Sequence, residues 1–474
     1  MLTKPNMIWI MADDMGYGDP ACYGTGRIPT PNMDRVAAEG VRFTDAHATS
    51  AVCSPSRYSV VTGRYNWRSR MKRRLIGGFD HPLIDSGRCT VSRFLQGAGY
   101  QTAAIGKWHL GLDWPVLPRT DDVRDGWAEP PNTDYTRPIC GGPCDLGFDR
   151  FFGLPGSLNL PPFCFIDDRR TVGMPVRPVE PDATFTEGCP AGRSVEGWDF
   201  EGVDVRHTQE AERFVRARDR DRPFFLYFTP SAPHTPWLPP AHVRGASGLG
   251  PRADLVCLLD WIVGRMLDLL DEQGIADQTL IVLTSDNGAV GGIEAETRAG
   301  HQSNGELRGN KGLVFEGGHR VPMIARWPAV VPTGSVCDQM VSLMDLFATS
   351  AEIVDRWVPA HAGEDSVSFL PLLKNPGRAD PVRDHLVQHS AMGRFVLREH
   401  QWKLIDASDD GGMTSHSWRE PDAGEPAGML YDLAGDLGET RNRWGAEPER
   451  VDRMLGRLRA VQDVSDHAAD EPNS

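Results

Sequence analysis

No part of this chain offers the roughly 20 consecutive apolar residues that a membrane-crossing helix needs, so no membrane partner is expected. A secretory leader is missing as well: Met1-Leu2-Thr3-Lys4 passes directly into a short apolar run, with no apolar segment of signal length. As given, the sequence reads as cytoplasmic; if a signal has been removed, the location becomes periplasmic or secreted. There is no disulfide framework. Nine cysteines, an odd number, are scattered along the chain, and Cys140 and Cys144 lack the second pair that a zinc site wants. Reduced, incidental thiols are expected. Nor is there a basic stripe. The 65 acidic and 50 basic residues leave a formal charge of −15, which repels nucleic-acid phosphates and excludes that class of partner. The nearest basic run, Arg68 to Arg74, is expected to be a solvated helix face. Internal repeats are absent, and only the polar tail Asp470 to Ser474 suggests disorder.

What is present is ordinary globular composition, 40% hydrophobic and 24% charged, over 474 residues. That length exceeds one ordinary core. Met7 to Ala12 is a continuous apolar run that stops at Asp13-Asp14, as expected of a strand buried on both faces. The same grammar recurs at Phe224 to Phe228, ahead of His234, and at Thr279 to Leu283, ahead of Asp286-Asn287. Between them, Leu255, Leu258, Leu259, Ile262, Met266, Leu269 and Leu270 follow helical spacing, with Gly274 where a C-cap belongs. Strands alternating with helices predict an α/β protein with a mainly parallel, doubly wound sheet, and ligands gather beyond the carboxyl ends of such strands. The polar clusters fall there, which points to an enzyme. A break near Lys374-Asn375-Pro376-Gly377 divides the chain into a catalytic domain, 1–374, and a small α+β subdomain, 375–474. In the latter, strands are predicted over His385 to His389, Phe395 to Arg398, Trp402 to Ile405 and Met429 to Leu433, with a helix over Pro448 to Val461.

Two adjacent carboxylates in a crevice repel unless a cation compensates them. Asp13-Asp14, with the oxygen donors of Asp286-Asn287, therefore suits a hard ion such as Ca²⁺ or Mg²⁺, although each pair alone also suits a turn or cap. In Cys53-Ser54-Pro55-Ser56-Arg57, Pro55 is placed to open a helix and leave Cys53 at its amino end. The helix dipole and free N–H groups there favour an anion. A buried small hydrophobe and a thiol nucleophile activated by histidine are the other readings of Cys53.

Cys53-Ser54-Pro55-Ser56-Arg57 followed by Thr62-Gly63 resembles the sequence that a formylglycine-generating enzyme reads in the type I sulfatase family. Pro5 to Asp19 resembles that family's opening, and Gly106-Lys107-Trp108-His109-Leu110-Gly111 is similar to its second signature. Ala232-Pro233-His234-Thr235-Pro236, Ser285-Asp286-Asn287-Gly288 and Arg308-Gly309-Asn310-Lys311-Gly312 follow in the family's order. The likeness runs from about Pro5 to Trp327 and more loosely beyond, nearest to arylsulfatase A-like enzymes.

The resemblance implies an alkaline phosphatase-like fold, a large mixed sheet sandwiched by helices. It implies hydrolysis of an aryl sulfate or sulfated carbohydrate. Cys53 becomes formylglycine, whose hydrate is a gem-diol: one oxygen attacks sulfur and displaces the alcohol, and loss of the other hydroxyl proton then expels sulfate. Asp13, Asp14, Asp286 and Asn287, joined by the residue-53 oxygen, are implied ligands of one Ca²⁺ or Mg²⁺. Arg57 and Lys107 stabilise the formylglycine oxygens and the carboxylates, and Lys107 also meets the substrate. His109 is the implied base. His234 and Lys311 grip the sulfate, one of them protonating the leaving oxygen. His301, Asn304 and Arg308 are candidates for touching the sugar or aryl part. The partners implied are the sulfated substrate and the formylglycine-generating enzyme. The rivals are a phosphonate monoester or phosphodiester hydrolase of the same superfamily, and a non-catalytic sulfated-glycan-binding protein.

Overall fold

The computed structural model describes residues 4–463 except 25, 118–125, 128, 131, 181–190, 292 and 414–420. The run at the start forms the strand Asn6–Ala12 at the centre of a ten-stranded sheet. On one side it pairs in parallel with Thr279–Ser285, on the other with Phe224–Thr229. Gln101–Lys107 and Arg150–Leu154 continue the parallel array beyond Phe224–Thr229. Antiparallel strands extend both flanks, Met323–Arg326 and Val41–Phe43 on one and Ile166–Asp167 and Arg170–Thr171 on the other. Ser335–Cys337 completes the first flank, parallel to Val41–Phe43.

Period-two alternation gives each strand two apolar faces. Met7, Trp9 and Met11 enter a core with Phe225, Tyr227, Leu280 and Val282. Ile8, Ile10 and Ala12 enter the opposite core with Leu226, Phe228, Ile281 and Leu283. The helices Cys53–Thr62, Val91–Gly97 and Leu346–Ile353 cover the first face. Pro31–Ala38, Val203–Ala217 and Pro251–Glu272 cover the second. The predicted α/β sandwich is thus observed. The long helix contains every residue of the predicted apolar stripe, and Gly274, at φ 66°, follows its cap.

Toward the C-terminus, Leu386–His389, Phe395–Glu399, Trp402–Ile405 and Met429–Asp432 form a four-stranded antiparallel sheet, each strand within a residue of its predicted bounds. The helix Pro448–Asp463 packs on it. Tyr65, Trp67, Met340 and Met344 share the core beneath this sheet, so the two parts of the chain are welded by apolar burial. Ser50 bridges to His389 beside the Cys53 helix.

Cys53 stands at the amino end of its helix as expected, behind extended Val52, although Pro55 is the third residue rather than the first. One local expectation fails. Arg68 to Arg74 is not a helix face: after the 3₁₀ turn Asn66–Arg68 the backbone is irregular, because Arg68 is drawn to Asp365 at 2.9 Å. The eight described cysteines are all unpaired, with Cys140 exposed and Cys144 half-buried. No described helix is long and apolar enough to cross a membrane. The tail 470–474 lies outside the described residues.

Candidate active site

Parallel register gathers the strand ends at one edge of the sheet. Ala12 pairs with Ser285, which sets Asp13 beside Asp286, and Gly106 pairs with Thr229 on the other side. Gly106 lies at φ 113°, and a Cβ there would come 2.0 Å from the Thr229 carbonyl oxygen. Only glycine lets the strand carrying Lys107 approach so closely. Asp14 turns away from Asp13 in the left-handed region, φ 69°, its N–H donating to Asp286 Oδ1 at 3.2 Å.

All four acidic and amide groups are buried, and so are the cations around them. Lys107 Nζ stands 2.7 Å from Asp13 Oδ2. Arg57 reaches Asp286 Oδ2 through Nε at 2.9 Å and Nη2 at 2.8 Å, and donates from Nη1 to the Lys107 carbonyl at 2.9 Å. Lys311 Nζ meets Asp14 Oδ2 at 2.8 Å, with His234 Nε2 3.7 Å from the same oxygen. Asn287 donates to Asp14 Oδ1 at 2.7 Å, yet its own Oδ1 is buried with no hydrogen-bond partner. Three carboxylates and three fixed cations cancel formally, so a divalent ion would make the site positive and fit to hold an anion.

Cys53, first residue of its helix, directs Sγ to Asp13 Oδ1 at 3.4 Å. Burial, reinforced by Asp286 and Asp13 against Lys107, pushes its thiol well above the usual range. It is a protonated thiol, poorly suited to act as a thiolate nucleophile. Burial also pushes Asp286 up to about 6 against the pull of Arg57. On Asp13 burial is outweighed by Lys107, His234, Arg57 and Lys311, which hold its carboxyl well below the carboxylate range. Ligand atoms of Asp13, Asp14, Cys53 and His234 lie within 4.8 Å of one another. Together with the unpartnered Asn287 Oδ1, this oxygen-rich set fits a hard divalent cation. His109 Nε2 donates to the Ile76 carbonyl at 2.7 Å, which leaves Nδ1 as a buried lone pair without a partner. Burial, then Lys107, pushes this imidazole well below its ordinary range, so it is neutral.

Residues 5–355 match the Sulfatase family model. The chain belongs to the sulfatase family. It is 31% identical to N-acetylgalactosamine-6-O-sulfatase of Bacteroides thetaiotaomicron, over 97% of this chain and 93% of that one. It is 30% identical to human arylsulfatase A, over 97% and 87%. A solved 6S-sulfatase structure from the glycosaminoglycan metabolism of B. thetaiotaomicron superposes with a TM-score of 0.85, at 31% identity over 97% of this chain and 99% of that one. Phosphonate monoester hydrolase of Agrobacterium radiobacter shares the fold alone, at TM-score 0.62 and 18% identity over 97% of this chain and 96% of that one. The protein is therefore a sulfuric ester hydrolase of alkaline phosphatase-like fold.

In this sulfatase the remaining sequence candidates have protein partners. His301 is buried, Nε2 against Asp19 Oδ1 at 2.9 Å. Asn304 accepts from the Ala289 N–H at 2.9 Å and donates to the carbonyls of Ala289 and Gly309. Arg308 stacks on Phe315 and donates to the Glu439 carbonyl at 2.6 Å. A second buried group, His47, Glu316 and His319, already holds a cation: Lys403 Nζ lies 3.1 Å from Glu316 and 3.2 Å from His319. Sequence reasoning missed Arg252, which donates to the Asp14 carbonyl at 3.3 Å. The available signal was a cation in a helix's first turn, where the dipole disfavours it.

Proposed function

We propose that this sulfatase cleaves a sulfate ester of a carbohydrate or aryl alcohol, using formylglycine formed from Cys53 and one divalent ion, Ca²⁺ or in its place Mg²⁺. The observation that carries this reading is the buried, unpartnered Asn287 Oδ1 beside three carboxylates and Cys53. Asp13, Asp14, Asp286 and Asn287 would hold the ion, which supplies charge neutralisation at the sulfate. Hydrated formylglycine supplies an oxygen nucleophile and the second hydroxyl that a cysteine or serine lacks. The saccharide class follows the names of the relatives, N-acetylgalactosamine-6-O-sulfatase among them.

The chain's own groups have distinct tasks in this scheme. Lys107 and Arg57 are anchored to Asp13 and Asp286, so their charges face residue 53 without side-chain reorganisation. His109, neutral and with Nδ1 open, can take the proton from the second hydroxyl of residue 53. His234 donates from Nδ1 to the Thr235 carbonyl at 2.7 Å, which leaves Nε2 to carry the proton for the departing alcohol. Lys311, close to Asp14, grips the sulfate. The Cys53–Thr62 helix is wholly buried, so a formylglycine-generating enzyme must read it before the helix packs. Residues 1–374 carry this chemistry, and 375–474 buttress the loop before Cys53 through the Ser50–His389 bridge.

Peptide mass spectrometry of active protein should show an aldehyde at residue 53, and Cys53→Ala should abolish turnover. Full activity with an intact thiol ends the formylglycine reading. Paired aryl sulfate and aryl phosphate diester substrates separate a sulfatase from a phosphodiesterase of the same fold: the sulfate should turn over faster.

A further inference from the structure

Arg252 is the second residue of the 22-residue helix Pro251–Glu272. A cation there faces the positive end of the helix dipole, and this one is only 1% exposed. Its surroundings explain its retention. Nη2 donates to Asp19 Oδ2 at 2.5 Å and to the main-chain carbonyl of Asp14 at 3.3 Å. Nη1 donates to Asp19 Oδ1 at 3.1 Å, to Glu296 Oε2 at 3.2 Å and to Ser303 Oγ at 3.2 Å. Asp19 in turn accepts from the Gly16 N–H at 2.7 Å.

The contacts to Asp14, Asp19 and Gly16 all bear on the turn from Asp13 to Asp19, while Glu296 and Ser303 hold the guanidinium from the other side. That turn needs outside support, because Asp14 sits at φ 69°, a region that disfavours residues with a side chain. Gly16 is pressed against the neighbouring segment, where a Cβ would come 2.0 Å from the Ser303 carbonyl oxygen. The left-handed step at Asp14 sends its carboxylate toward Asn287, Lys311 and His234 while its carbonyl meets Arg252.

We infer that Arg252 is a positioning residue: by fixing the Asp13–Asp19 turn it aims the Asp14 carboxylate into the metal and sulfate site. The inference rests on the reading of Asp13 and Asp14 as metal ligands. It differs from a plain buried ion pair in what it requires of the side chain. A planar guanidinium spans Asp14 O, both oxygens of Asp19 and Glu296 at once, whereas a single ammonium cannot. If charge balance were the whole role, lysine would serve.

Arg252→Lys tests this directly. Metal-stripped protein is titrated with Ca²⁺ in a calorimeter, at a temperature where far-ultraviolet circular dichroism shows both forms folded. The Ca²⁺ Kd should rise about 10- to 100-fold, the usual effect of losing a group that orients a metal ligand. Activity on an aryl sulfate should fall at low Ca²⁺ and recover at saturating Ca²⁺, which a general loss of structure would not do. Glu296→Gln keeps the shape on the far side of the guanidinium and carries the test if the lysine variant does not fold; its Kd should rise about tenfold. An unchanged Kd in a folded variant overturns the inference, even if the melting temperature drops. No Ca²⁺ isotherm in the unsubstituted protein overturns the metal reading beneath it, and the inference with it.

Discussion

The ion pair of Lys107 and Asp13, fully buried on both sides at 2.7 Å, offers a sharp test of the metal site. Lys107→Met keeps the length of the stem and deletes the charge. Removing one partner of a buried pair costs about 3–5 kcal/mol, because the other charge stays behind. Arg57, 3.6 Å from Asp13, cannot take over, since it is committed to Asp286 at 2.8 Å. The entropy of unfolding is about 2.1 cal/mol/K per residue. Over 474 residues that is about 1 kcal/mol/K, so metal-free Lys107→Met should melt about 3–5 °C lower. A divalent ion on Asp13 supplies the charge that the variant lacks. At one Ca²⁺ concentration, a hundredfold excess over the parent's Kd, the ion adds about 2.7 kcal/mol to the parent and more to the variant, whose uncompensated Asp13 binds it more tightly. The gap in melting temperature should therefore shrink in Ca²⁺. Calorimetric scans of both proteins in chelator and in saturating Ca²⁺ decide the matter. A gap of equal size under both conditions refutes the assignment of Asp13 as a metal ligand.

Other outcomes follow from the same geometry. His234→Ala should lose about 10²- to 10⁴-fold more kcat/KM on a sulfated sugar than on a nitrophenyl sulfate, whose leaving group departs without a proton. Lys311→Ala should slow both substrates alike; equal losses on both substrates in each variant would show that neither residue is the acid. His109→Gln should slow turnover about 10²- to 10⁴-fold, while the parent enzyme shows no His109 titration between about pH 6 and 8, because burial and Lys107 keep that imidazole neutral. For stability, His389 is the group to follow, its imidazole pushed by burial down to about 4. It titrates near 6.5 in the unfolded chain, so protons favour unfolding as pH falls from about 6.5 to about 4, a loss of about 3 kcal/mol in all. His389→Gln should flatten the melting temperature over that window, and an unchanged pH dependence would contradict the assignment.

Much of this molecule is written locally. The apolar runs at Met7, Phe224 and Thr279 form the strands expected of them, since alternation along a strand fixes which side chains meet which helix layer. The acids that end two of those runs come together because parallel strands bring their carboxyl ends to one edge of the sheet. The order of short motifs around Cys53, Lys107, His234 and Lys311 points to the sulfatase family because each motif is a local run of residues: Cys53 opens a helix, Lys107 ends a strand, and His234 and Lys311 stand in turns.

Other features arise from contacts between segments far apart in the chain. Pro55 invites a helix start and a helix forms there, with Cys53 at its amino end; that all ten residues, Cys53 to Thr62, are buried is decided by the surrounding fold. The run from Arg68 to Arg74 reads as a solvated helix face, but Asp365, nearly 300 residues away, pairs with Arg68 at the start of an irregular segment. His301, a candidate for the substrate because it lies just upstream of Lys311, is turned by the fold onto Asp19. Arg252 gave no motif at all, because its meaning lies in a guanidinium spanning Asp14, Asp19 and Glu296, three points that only the closed fold brings within reach. Sequence determines what a segment does with its own backbone and its own two faces. Which buried charge answers which is settled by tertiary packing, because a charge removed from water is stable only where distant segments bring its partner to within hydrogen-bonding distance.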